Sequence, residues 1–302
     1  MLHSTEIAVR PPIEAYSLQL EIASGCPQAK RCTFCTLYAN ELTPATRDQI
    51  KADIDEVADL WLMRPRRVFL QTAEPFAVPH DLLVFTLEYI RERLPMVESV
   101  GGFCSVATIA RATDDQLADW ARLGVSNLAI GAESGWDETL ARANKQHCAQ
   151  DIIDQCARLD AAGITYTLFY MPGLAGAGKG IQNAHESARV FSQTHPLYIN
   201  CLTTNISPDS QLGKDSATGA FLPATESESL TEIRTFVAEV TCRTTFDCMN
   251  EFNAIKFMAP IPEGREAMLK KIDFALSPEY IELLENFTKQ REEITRRSYP
   301  DR

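Results

Sequence analysis

Apolar and polar positions switch back and forth along the chain between two periods, about two and about 3.6 residues. From Tyr16 to Ala23 the residues Leu18, Leu20 and Ile22 alternate with polar ones, which predicts a first strand running into Ser24-Gly25. Ile50, Ile54, Val57, Leu60 and Trp61 then share one helical face, predicting a helix from Thr46 to Met63. Arg67 to Gln71 reads as a second strand, and Pro79 opens a helix that ends near Leu94. The alternation continues with a strand from Val100 to Val106, a helix from Thr113 to Leu123 and a short strand from Asn127 to Gly131. Helix Ala149 to Ala162 stops at Gly163, and Thr165 to Tyr170 forms the next strand. A helix from Ile181 to Thr194, a strand from Leu197 to Thr203 and a helix from Glu226 to Val240 complete six strand-then-helix units. Repeated units of this kind imply parallel strands with right-handed crossovers, in a closed or partial barrel or an open doubly wound sheet. In either architecture, function gathers at the C-terminal ends of the strands.

Composition narrows the picture. With 302 residues, 45% of them hydrophobic, the chain can bury a large core. It needs neither disulfides nor a structural metal to fold, so a metal site would be functional first. A formal charge of −12 repels phosphate backbones, so nucleic acid is not the expected partner. No apolar run approaches a membrane span, and Glu6, Arg10, Glu14 and Glu21 interrupt the stretch where a signal peptide would need its apolar core. A cytoplasmic protein is the expectation, and its nine cysteines become informative by where they cluster.

They cluster directly after the first predicted strand, as Cys26-Pro-Gln-Ala-Lys-Arg-Cys32-Thr-Phe-Cys35. Three thiolates on a short loop can converge on one soft metal centre. A structural zinc site or a cluster used only for electron transfer ordinarily takes four protein ligands; three on a four-iron cluster leave one iron open. The plain alternative is a Cys32/Cys35 redox pair or half a zinc knuckle, with Cys26 a bystander. Gly173 to Gly180 nearly spells a phosphate-binding loop, but Gly180 stands where the magnesium-binding hydroxyl belongs. Cys242 and Cys248 repeat the five-residue spacing, and an auxiliary cluster there would need Cys201 or Cys104 as well. His80, His147, His185 and His195 are isolated, as surface or hydrogen-bonded histidines are.

The triplet resembles the signature of the radical S-adenosylmethionine (radical SAM) superfamily, Cys-x3-Cys-x2-Cys with an aromatic before the third cysteine, supplied here by Phe34. Five residues rather than three separate Cys26 from Cys32. Gln71-Thr72-Ala73-Glu74-Pro75 is similar to the family's Gly-Gly-Glu-Pro loop, with both glycines replaced. Asn127 to Gly135, ending in Glu133-Ser134-Gly135, and Leu140 to Lys145 resemble motifs of the coproporphyrinogen dehydrogenase and Elp3-like branch, as does Tyr170-Met171-Pro172-Gly173-Leu174. The resemblance spans residues 16 to 276.

It implies an α/β fold, a partial (βα)6 TIM-type barrel over residues 1–276 with a helical C-terminal tail, 277–302, packing on it. It also implies a [4Fe–4S] cluster on Cys26, Cys32 and Cys35, and S-adenosylmethionine held by Phe34, Thr72, Ala73, Glu74, Ser105, Glu133, Ser134, Arg142, Lys145 and Met171. Within that set the Thr72–Glu74 loop takes the methionine amino group, Glu133 and Ser134 the ribose, Arg142 or Lys145 the methionine carboxylate, and the Met171 turn the adenine. Tyr170, Asn205, Asn250 and Glu251, polar residues toward late strand ends, are candidates for the substrate side, though a capped turn explains each as well. The implied activity is reductive cleavage of S-adenosylmethionine to a 5′-deoxyadenosyl radical. That radical would abstract hydrogen from a small molecule in cofactor or natural-product biosynthesis, with a reductant such as flavodoxin or ferredoxin. A tRNA-modifying radical SAM enzyme and a non-enzymatic metal- or nucleotide-binding protein are the alternatives.

Overall fold

The computed structural model describes residues 9–28, 30–38, 40–60 and 64–298. Trp61 and Met63, at the end of the first expected helix, fall outside these residues, as do Glu6 and positions 299–302 of the tail. The chain divides into two compact units. Among the described residues eight strands run in a single order through a mostly parallel sheet, Leu18–Glu21, Arg67–Gln71, Ser99–Cys104, Leu128–Glu133, Tyr166–Tyr170, Tyr198–Cys201, Thr244–Asp247 and Met258–Ile261, while Ala23–Ser24 and Thr43–Pro44 form a separate ribbon. The expected α/β architecture is what the chain adopts.

The first unit comprises residues 1–29, 37–131 and 157–167. Its strands β1 (Leu18–Glu21), β4 (Arg67–Gln71) and β5 (Ser99–Cys104) pair in parallel, Leu18 with Val68 and Arg67 with Ser99. Val68, Phe69 and Leu70 are all buried, so β4 is covered on both faces, as a parallel strand between helices must be. Short strands β2 (Ala23–Ser24) and β3 (Thr43–Pro44) form the ribbon. Helices α1 (Arg47–Asp59) and α4 (Asp114–Arg122) each open on a reciprocal cap, Thr46 with Gln49 and Thr113 with Gln116. Between them lie α2 (His80–Arg93) and α3 (Val106–Arg111). The strand expected to reach Val106 stops at Cys104, because the Ser105 hydroxyl accepts the Thr108 N–H and starts α3 there.

The second unit comprises residues 30–36, 132–156 and 168–302. Strands β6 (Leu128–Glu133) and β7 (Tyr166–Tyr170) lead into it. Strand β8 (Tyr198–Cys201) pairs in parallel with β9 (Thr244–Asp247), and β10 (Met258–Ile261) pairs antiparallel with β9. Neither β9 nor β10 follows from the sequence pattern. Their helices are α5 (Asp137–Arg142), α6 (Ala149–Ala162), α7 (Gly180–Phe191), α8 (Gln211–Thr218) and α9 (Glu226–Glu239), then α10 (Arg265–Ala275), α11 (Ile281–Glu285) and α12 (Phe287–Ser298). Helix α12 docks on the start of α9 through a buried ion pair, Arg291 to Glu226 at 2.6 Å. Stacked and edge-on rings of Tyr170, Phe191, Phe236 and Phe246 fill the core.

Candidate functional site

The cysteine loop leaves the first unit through a narrow neck. Ser24 pairs with Thr43, Cys26 bridges to Glu41, and the Cys26 N–H donates to the Asn40 carbonyl at 3.0 Å. Gly25 makes this closure possible, because it has φ +81° and a Cβ there would sit 2.2 Å from the Glu41 carbonyl oxygen. Gly25→Ala is therefore expected to cost roughly 2–4 kcal/mol, the sum of a left-handed alanine and a backbone overlap. A urea midpoint unchanged from the parent would contradict it.

Farther along the loop, in the second unit, the Cys35 N–H donates to the Cys32 carbonyl at 3.1 Å. Two bonds fix this stretch: Thr33 N–H to the Ala143 carbonyl at 3.1 Å, and Leu212 N–H to the Thr33 carbonyl at 2.7 Å. Phe34 packs between them against Met171, Leu174, Leu212 and Phe221. Cys26, Cys32 and Cys35 are half-buried thiols, whereas Cys104, Cys156, Cys201, Cys242 and Cys248 are buried. Among the described residues no three His, Cys, Asp or Glu side chains are grouped so as to hold a metal ion. The donor chemistry of the loop, three soft sulfurs on partly exposed residues, nonetheless is of the kind an iron–sulfur cluster takes.

In the first unit, Thr72 follows β4 with φ +119°, a conformation that a β-branched residue adopts only under strain. This is one of the two positions where the Gly-Gly-Glu-Pro motif has glycine, so the backbone keeps the glycine conformation although the residue has changed. A hydrogen bond from the Thr72 hydroxyl to the Gly25 carbonyl, 3.0 Å, offsets part of the strain and ties this loop to the neck of the cysteine loop. Half-buried Ala73 leads to Glu74, which is 4% exposed. One Glu74 oxygen accepts from Ser105 at 2.6 Å and from Thr108, and the other from Gln28 at 3.4 Å. Among the described residues Glu74 has no cationic partner, which is uncommon for so deeply buried a carboxylate.

In the second unit, Glu133 ends β6 with φ +65°, and Met171 N–H reaches its carbonyl at 2.8 Å. Its carboxylate is already paired with Lys145 at 3.2 Å, both groups nearly out of solvent. Arg142 is exposed, its guanidinium 5.9 Å above the Phe221 ring. The Ser134 hydroxyl donates to Asn183 at 2.6 Å and accepts the Trp136 N–H at 2.9 Å. His147 is buried behind this turn with Nε2 3.4 Å from the Ala132 carbonyl, and burial holds its pKa down to about 3.

Behind the Met171 turn lies a group that helical periodicity does not single out. Glu232, fully buried on α9, accepts from Tyr170 Oη at 2.8 Å, Asn183 Nδ2 at 2.6 Å and Gly173 N–H at 2.9 Å. Burial pushes its pKa up to about 7 against the pull of these three donors. The only sequence signal was an acidic residue among Ser229, Ile233 and Phe236 on the buried face of α9. Tyr170 is thus committed to Glu232. The phosphate-loop look-alike is filled in the same way: Gly173 and Gly178 N–H groups donate to Glu232 and Glu228, and Lys179 pairs with Glu138. Asn205 is half-buried, Glu251 is exposed, and Asn250 caps its own turn through Phe252 N–H at 3.0 Å. The neighbouring Asn253, unremarked in sequence, is the buried one, binding Thr203 and the Cys201 carbonyl. Cys248 is hydrogen-bonded with Cys201 and with the Ile255 carbonyl.

Residues 20–177, a little over half of the chain, match the family model of the Radical SAM superfamily. The fold is similar to coproporphyrinogen III oxidase (HemN) from Escherichia coli, at 16% identity and TM-score 0.59, covering 74% of this chain and 52% of that one. It is similar to methylornithine synthase (PylB), at 14% identity and TM-score 0.52, covering 75% and 63%. The archaeal Methanocaldococcus infernus Elp3 with an N-terminal deletion gives 16% identity, TM-score 0.51 and coverage of 75% and 58%. The chain therefore spans between about half and two thirds of the length of these proteins, and at such identities the likeness is one of fold. No curated protein matches it.

Proposed function

The chain belongs to the radical SAM superfamily, and we propose that it cleaves S-adenosylmethionine reductively to act on a small molecule, as a relative of the coproporphyrinogen dehydrogenase and Elp3-like branch. When bound, a [4Fe–4S] cluster and S-adenosylmethionine would supply the electron and the radical chemistry of hydrogen abstraction. Cys26, Cys32 and Cys35 would hold the cluster, and a flavodoxin or ferredoxin would be the reductant.

The observation that carries this reading is Glu74. A buried carboxylate with only neutral donors around it is an incomplete ion pair, and the methionine ammonium completes it. The strained turn at Thr72 and the adjoining Ala73 would offer backbone groups to the same ammonium. Arg142 rather than Lys145 takes the methionine carboxylate, since Lys145 is already held by Glu133. The resemblance gives the ribose to Glu133, through whatever Lys145 leaves open, with Ser134 bracing the same turn from inside through Asn183, and Phe34 and Met171 would give an apolar seat to the adenine. Tyr170, committed to Glu232, would support the Met171 turn rather than touch substrate, while Asn205, Asn250 and Glu251 would stand on the substrate side. A net charge of −12 favours a small-molecule substrate over tRNA.

Reconstituted anaerobically and reduced, the protein is expected to turn brown and release 5′-deoxyadenosine; zinc content without release would overturn the reading. Glu74→Gln keeps the acceptor for Ser105 but removes the charge. It is expected to weaken S-adenosylmethionine binding at least tenfold by calorimetry, with the urea midpoint little changed. Equal affinity in parent and variant would remove Glu74 from the site.

A further inference from the structure

The first unit holds a cleft of about 240 Å³ that the cofactor residues above do not use. Its walls are Phe76, Leu83 and Trp120, with the Phe76 and Trp120 rings 5.2 Å apart, and its polar edge is His80, Thr108 and Arg111. Two polar atoms here are stranded. Trp120 is 3% exposed, and among the described residues its indole N–H has no hydrogen-bond partner; His80 Nδ1 is likewise buried and unpartnered there, while Nε2 lies 3.4 Å from Asp119. A buried donor left unpaired costs about 1–3 kcal/mol, so a site that keeps one is expected to have it met by a ligand. Arg111 is exposed at the cleft, donates to Thr108 at 3.2 Å, and has no carboxylate partner among the described residues. Among the described residues no Asp or Glu lines the cleft, in a chain where acidic residues outnumber basic ones 41 to 29.

We propose that this cleft binds a small organic carboxylate with a compact apolar or aromatic body. The carboxylate meets Arg111 and gives the Trp120 N–H its acceptor, and the body lies against Phe76 and Leu83. The size agrees: a dry cavity of about 150 Å³ admits benzene, so this volume leaves room for a ring and its acid group. Gln116 favours the same ligand, since its Oε1 is occupied by the Thr113 N–H and its amide can only donate to the cleft. The inference does not rest on the cluster chemistry, although Pro27 of the cysteine loop and Thr108, which holds Glu74, both line the cleft.

The test uses ¹⁵N-labelled full-length protein without cluster, titrated with benzoate, cyclohexanecarboxylate and butyrate and with their neutral amides. At least one acid is expected to shift the Trp120 indole N–H resonance saturably, its amide binding at least tenfold more weakly. Arg111→Gln, at an exposed position, is expected to weaken the acid at least tenfold and leave the amide unchanged; Trp120→Phe identifies the resonance. Equal binding of acid and amide, or no movement of that resonance with any of the three acids, overturns the proposal.

Discussion

Replacing Glu232 with alanine is expected to destabilise the protein by about 3–5 kcal/mol, because it leaves buried donors unmet and opens a cavity in the core. The change strands three buried donors at once: Tyr170 Oη, Asn183 Nδ2 and Gly173 N–H. Each unmet donor costs about 1–3 kcal/mol, less than additively because they share one cavity. The loss also reaches the site, since Gly173 belongs to the Met171 turn and Asn183 holds Ser134. Glutamine is a poor substitute: whichever way its amide turns, its NH₂ meets another donor.

The same carboxyl sets a pH dependence of definite sign. Its pKa rises from 4.5 to about 7 on folding, so between those values the folded chain keeps a proton that the unfolded chain has lost. Stability from this group is then fully present below about pH 4.5, declines as pH rises toward 7, and is flat above. The slope is about 1.4 kcal/mol per pH unit at most. Urea midpoints from pH 5 to 8 should fall in the parent and be flatter by that amount in Glu232→Gln; parallel curves would mean that Glu232 does not titrate in this window.

Much of the architecture is legible because short-range rules govern it. Strand Arg67–Gln71 and helix Ala149–Ala162 have the bounds that periodicity predicts, the helix ending where Gly163 takes φ +73°. The reciprocal caps at Thr46 and Thr113 mark helix starts just as clearly. Periodicity fails where tertiary pairing decides. Thr244–Asp247 is four residues of mixed polarity, and Met258–Ile261 contains Pro260, which an edge strand tolerates but no pattern recommends. Val106 continues an apolar alternation, yet the Ser105 cap wins and the strand ends.

Within the site the legible part is chemical and the hidden part geometric. The cysteine spacing and the Glu74-Pro75 pair stand out as residue types. That the replaced glycine at position 72 keeps a positive φ, with the Thr72 hydroxyl bonded to Gly25, appears only in three dimensions. Glu232 stays hidden because a helical pattern assigns acids to the solvent face, and only its three donors explain why this one is inside.

The second large effect concerns the cysteine loop. Cys32→Ala is expected to leave the fold intact, since Cys32 is half-buried and the bonds that fix the loop run through the Thr33 backbone. What it removes is a ligand. With two sulfurs left, a four-iron cluster has too few protein bonds to persist, so iron per chain and the near-ultraviolet and visible absorption should fall to background after reconstitution. Release of 5′-deoxyadenosine should drop at least a thousandfold, because its chemistry belongs to the cofactor and not to any side chain. Cys148→Ser, at an exposed cysteine outside the triplet, provides the contrast and should retain both iron and turnover. The two readouts separate the ligand from the catalyst: lost turnover with full iron would make Cys32 something other than a ligand, and full turnover in the alanine variant would remove the triplet from the chemistry altogether.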